Sequence, residues 1–107
     1  MRLQFLLAAA ICVSGTASMA QMTDCSYKTR FFGTNATLKV EGGKPVAYRT
    51  DNYTAKSVTK QGDTILIDQA RLSSVVHGKT QDGKWAIQGN WKLGKHSKDN
   101  VVFVCAP

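Results

Sequence analysis

The stretch Lys84–Gly94, KWAIQGNWKLG, contains both tryptophans of the chain. Positions 85, 87, 89, 91 and 93 hold Trp, Ile, Gly, Trp and Leu, while 86, 88, 90 and 92 hold Ala, Gln, Asn and Lys. A period of two is the pattern of a β-strand with one face buried. Trp85, Ile87, Gly89, Trp91 and Leu93 are therefore the expected inner face. Gly89 lies between the rings, where a strand glycine marks a bend or bulge. On this reading the tryptophans fill a core. The alternative is a carrier that holds a small apolar ligand at one mouth against Trp85 or Trp91.

Outside this strand, turn residues recur at short intervals: Gly33-Thr34-Asn35, Glu41-Gly42-Gly43-Lys44, Asp51-Asn52, Gln61-Gly62-Asp63, Gln81-Asp82-Gly83 and Lys98-Asp99-Asn100. Short alternating segments lie between them, and no helical stripe is long enough to compete. The spacing predicts an all-β fold of eight strands, at about 25–32, 36–41, 45–50, 53–59, 63–68, 71–77, 84–93 and 100–106. Short loops join every neighbouring pair. The expected architecture is thus an antiparallel meander closed into a small barrel, or a two-sheet sandwich with the same neighbours.

The first twenty residues have the organisation of a secretory signal. Arg2 is the basic start, Leu3–Val13 an apolar run, and Ser18-Met19-Ala20 a cleavage site. The run is too short to span a bilayer, and Ile11 stands where a lipoprotein signal needs a small residue before Cys12. Residues 1–20 are read as a leader and 21–107 as one domain, exported to the periplasm or beyond a bacterial cell. Two cysteines then remain, Cys25 and Cys105, near the ends of the domain. In an oxidising compartment they are expected to form a disulfide. In an even-stranded meander they meet only if the first and last strands come together, because a disulfide needs its Cα atoms within about 7 Å.

Charge is the other signal. The chain carries a net +7, and +6 once Arg2 leaves with the leader. Parity turns Lys28, Arg30, Lys39, Arg49 and Lys56 outward on the first four strands. It turns Tyr27, Phe31, Leu38, Val40, Val46, Tyr48, Tyr53 and Ala55 inward. Acidic residues are confined to the rims. Adjacent strands lie about 4.8 Å apart, so the five cations would form one basic wall. Such a wall suits an acidic glycan, a lipid headgroup or an acidic protein surface. Phe32 adds one exposed aromatic at its edge.

Catalytic signatures are missing. There is no phosphate loop, HExxH, GxSxG or metal-spaced Cys/His set. His77 and His96 fall at opposite ends of the meander and read as solvated loop residues. Asn35-Ala36-Thr37 and Asn52-Tyr53-Thr54 match the glycosylation sequon, but the leader is bacterial in character and no glycan is expected. The expected protein is a monomeric binding module, neither an enzyme nor a user of cofactors or metals.

In size, leader, strand count and the placement of Cys25 and Cys105, the chain resembles the exported bacterial inhibitors of C-type lysozyme, small eight-stranded barrels. The resemblance implies a fold and a compartment, and an inhibitor or interaction module acting through its end loops as an alternative function. The inhibitory loop of that family, Ser-Gly-x-basic-Tyr, is not matched. The nearest segment here is Pro45-Val46-Ala47-Tyr48-Arg49, so no inhibitory residue is carried over.

Overall fold

The structure, a computed structural model, describes residues 22–106; the leader assigned to 1–20, with Cys12, lies outside them. Nine strands follow in order: β1 (Cys25–Phe31), β2 (Thr34–Glu41), β3 (Lys44–Thr50), β4 (Tyr53–Thr54), β5 (Val58–Gln61), β6 (Thr64–Ile67), β7 (Ala70–Lys79), β8 (Trp85–Leu93) and β9 (His96–Ala106). They form one sheet in the order β4-β3-β2-β1-β9-β8-β7-β6-β5, with every neighbouring pair antiparallel.

The first and last strands meet as the cysteines require. Tyr27 pairs with Cys105 and Ser26 with Ala106, and Cys25 and Cys105 form a disulfide with Cα atoms 5.7 Å apart. The expected closure, however, fails elsewhere. The strands number nine rather than eight, and β4 and β5 are the two edges of the sheet. The molecule is a sheet curled into a half-barrel, neither a closed barrel nor a two-sheet sandwich.

The opening has a local cause. The strand expected over 53–59 is broken at Ala55-Lys56-Ser57, so β4 is only two residues long. Asp68, in the β6–β7 turn, reaches into the break. Its carboxylate accepts the backbone N–H of Ser57 at 2.9 Å and that of Lys56 at 3.1 Å, and the Tyr53 hydroxyl donates to it as well. The Asp68 N–H donates in return to the Ser57 carbonyl at 2.9 Å. The exposed Lys56 and Ser57 N–H groups, which an unbroken strand could have turned to the ladders with β3 or β6, are thereby satisfied by a side chain. Asp68 adopts φ 52° to do so, a conformation that Asp tolerates better than most residues.

The concave face holds the core. Tyr27, Phe31, Leu38, Val40, Tyr48, Ile65, Leu72, Ile87, Trp91, Val101 and Phe103 are buried there. Trp91 spans the half-barrel, stacked on Tyr48 at 5.5 Å and edge-on to Phe31 at 5.2 Å. These are the offset and T-shaped arrangements that aromatic quadrupoles favour. The expected bend at Gly89 is present, and its cause is a close approach. A Cβ there would lie 2.8 Å from Leu72 Cγ and 3.0 Å from the Ser73 carbonyl oxygen. The ladders on both sides of β8 shift register at this level, between Ser73 and Val76 on β7 and between Gly89 and Trp91 on β8. Ser74 and Asn100 take positive φ there. Such bulges tighten the twist that curls a sheet.

Parity fails at three expected inward positions, Val46, Tyr53 and Leu93, and holds at Ala55. A register shift between Lys39 and Val40 turns Pro45 inward and leaves Val46 exposed. Tyr53 is exposed because β4 ends at the seam. Ala55 packs against the core but lies in the break, outside any strand. Leu93, the last residue of β8, runs past the end of the core and is 41% exposed.

Candidate functional site

The outward faces of β1, β2 and β3 bear Lys28, Arg30, Lys39 and Arg49, all exposed as parity requires. Register joins them into rows. Lys28 pairs with Thr37, Thr37 with Arg49, and Arg49 with Thr54. Lys28 and Arg49 therefore flank one threonine, about 10 Å apart across two strand spacings.

The cations are not equally free. Lys39 forms an ion pair with Glu41 at 3.1 Å. Arg30 donates to Asn35 Oδ1 and to the Gly33 carbonyl, both at 3.2 Å. The rim acid Asp51 reaches the same corner, accepting the Asn35 N–H at 3.1 Å; that bond leads the interactions holding its carboxyl below the usual range. Lys56 lies in the β4–β5 break, so it is not a strand member of the wall. Its backbone N–H is bound to Asp68. Among the described residues, Lys28 and Arg49 make no ion pair. The expected wall of five cations reduces to these two at its centre.

Arg49 also lines a shallow cavity of about 520 Å³, with Asn35, Thr37, Thr54, Asp51 and Tyr53 among its neighbours. A guanidinium beside hydroxyl and amide groups can hold a planar anion through two parallel hydrogen bonds. The residues that surround Arg49 come from the tops of β2, β3 and β4, brought together only by sheet pairing.

The two tryptophans occupy different surroundings. Trp91 is 6% exposed and inside the core. Trp85 is half-buried at the opposite end of β8, its ring stacked on His77 at 4.6 Å with 10° between planes, and Lys79 Nζ lies 4.9 Å from its centroid. His77 is not a solvated loop residue. It is buried in β7, with Nε2 3.4 Å from the Tyr27 hydroxyl and 3.5 Å from the Thr23 backbone N–H. The Tyr27 hydroxyl donates to the Thr23 carbonyl at 2.6 Å. Burial pushes the Tyr27 phenol up to about 12 and lowers the His77 pKa. The group is a buried clasp that pins the segment Met22–Asp24 beneath the half-barrel. His96 is exposed at the other end. Register sets the two histidines opposite Ile87 and Leu93, about 20 Å apart along β8, too far to act on one bond.

A second basic cluster escaped the sequence reading. Arg71 pairs directly with Lys92, and both are exposed. Lys95 and Lys98 follow in a hairpin whose residues 92–100 are all exposed. Like charges opposite one another on adjacent strands are unfavourable. The lysines stand in sequence in Lys92-Leu93-Gly94-Lys95-His96-Ser97-Lys98, but their meeting with Arg71 depends on the β7–β8 register. No protein-family model matches the chain, and no curated protein or solved structure shows significant similarity to it.

Proposed function

We propose that the chain is an exported, non-enzymatic binding protein that takes an acidic glycan on the outer face of β1–β3, with Arg49 as its main anchor. One observation carries this reading. Arg49 makes no ion pair among the described residues and opens onto a polar cavity that also presents Thr37, Thr54 and the half-exposed Tyr53, while the one carboxylate in its lining, Asp51, is engaged by Thr34 and Asn35. A sugar carboxylate or sulfate would meet the guanidinium bidentately, the Thr37 and Thr54 hydroxyls would meet ring oxygens, and Tyr53 would supply apolar contact. Lys28, one row position beyond Thr37, would extend the site along an anionic chain. The concave, hydrogen-bonding character of the surface favours a glycan over a flat headgroup layer.

Titration calorimetry with a polyuronate and with a neutral glucan, across a salt series, tests the proposal. The polyuronate is expected to bind, with affinity falling as salt rises, and the glucan is not. Arg49→Glu should weaken binding by about tenfold or more and Lys28→Glu by less, as expected for a central and a peripheral charge. Equal binding of both polymers by the unaltered protein, or an unchanged affinity in Arg49→Glu, would refute it.

A further inference from the structure

The β1–β2 turn sets a residue against the geometry it occupies. Its two central residues, Phe32 and Gly33, have φ 52° and 73°. Two-residue hairpin turns with both φ positive are best filled by Asn-Gly, Asp-Gly or Gly-Gly. The β2–β3 turn, with the same pair of signs, has Gly42-Gly43. A phenylalanine there is strained, since its Cβ crowds the backbone and it has no polar group to compensate. Burial does not offset the strain, because the ring is 57% exposed. Strain retained by a ring that stays more than half exposed points to a role for the group it displays.

What surrounds Phe32 gives that role a chemistry. Its ring lies 5.2 Å from Phe31 and 6.5 Å from His96. His96 pairs across the β8–β9 turn with Leu93, itself exposed. The core's aromatic cluster thus continues outward, from Trp91 through Phe31 to Phe32, and ends among His96 and Leu93. The same exposed hairpin carries Lys92, Lys95 and Lys98, with Arg71 across from Lys92 and Asp99 as its acid.

We propose that this end of the molecule, the β1–β2 turn with the β8–β9 hairpin, docks on an anionic lipid bilayer. The exposed apolar area here is small, contributed by Phe32 and Leu93, whereas a stable protein interface needs roughly 800 Å² from each partner. A soft interface makes no such demand. Phe32 and Leu93 would enter the boundary between headgroups and acyl chains, and the lysines would lay their stems along it with amines among the lipid phosphates. Neither signal suffices alone; cations concentrate the protein at an anionic surface and the apolar apex holds it there.

The test is co-sedimentation with vesicles of phosphatidylglycerol and phosphatidylcholine, against pure phosphatidylcholine. Binding is expected on the mixed vesicles and not on the neutral ones. Phe32→Asn gives the turn the residue its backbone prefers, so the variant should melt at the same temperature or higher while partitioning about fivefold or more weaker. Replacing Lys92, Lys95 and Lys98 together by Gln should weaken partitioning by roughly a hundredfold. Unchanged partitioning of a stably folded Phe32→Asn, or equal recovery on neutral vesicles, overturns the proposal. So does a failure to bind the anionic vesicles.

Discussion

His77 illustrates how a residue's role is decided by what surrounds it. Alternation along β7 would place it outward, but the shift of register between Ser73 and Val76 carries Val75 and His77 to the buried side. Its imidazole then accepts from the Thr23 N–H and packs flat on Trp85. Burial holds its pKa below the ordinary 6.5. The folded state therefore binds fewer protons than the unfolded chain between that lowered value and 6.5. Stability should be complete above about pH 6.5 and should decline as the pH falls below it, levelling once the folded pKa is passed. Urea denaturation at pH 7.5, 6.0 and 5.0 checks this. His77→Gln, which does not titrate, should remove the slope in that window. The carboxyls of Asp51, Asp68 and Asp82, all held low by hydrogen bonds, lose their contribution only at more acidic pH.

At the scale of elements, the break between β4 and β5 depends on one carboxylate. Asp68→Ala removes the acceptor of the Lys56 and Ser57 N–H groups and of the Tyr53 hydroxyl. The melting temperature should fall by a few degrees, and hydrogen exchange should rise first in residues 53–58, while β8 and β9 keep their protection. An unchanged exchange pattern would show that water replaces the carboxylate without loss. The alternation that located the strands was legible for Tyr27, Leu38, Ile87 and Phe103, each buried on its expected face. The seam was not legible. Val58-Thr59 reads as the continuation of a strand that begins at Tyr53, and only an aspartate 11 positions beyond Ser57 interrupts it. The wall was partly legible. Lys39 and Glu41, two apart on one strand, face the same way by simple parity, so their ion pair could have been anticipated. The cage around Arg30 and the cavity beside Arg49 could not, because they need the register of three strands.

The described residues, 38 × 29 × 26 Å in extent, are drawn together where the first and last strands meet. The β1–β9 ladder has three paired positions, and the disulfide sits at its end. It closes a loop spanning 80 positions. Replacing Cys25 and Cys105 by Ser should cost roughly 2–4 kcal/mol of unfolding free energy, measured by urea denaturation, through the entropy returned to the unfolded chain. Protection should be lost first at Ser26–Lys28. The period-two alternation and the placement of Cys25 and Cys105, properties of near neighbours and of spacing, were enough to point to an all-β fold with its first and last strands tied. Whether the curled sheet would close was decided by tertiary structure. So was the division of its cations between neutralised pairs, a polar cavity and a tip beside Phe32. Ladder pairing and bulges act between residues far apart in sequence, and a single shift of register changes which face a side chain occupies.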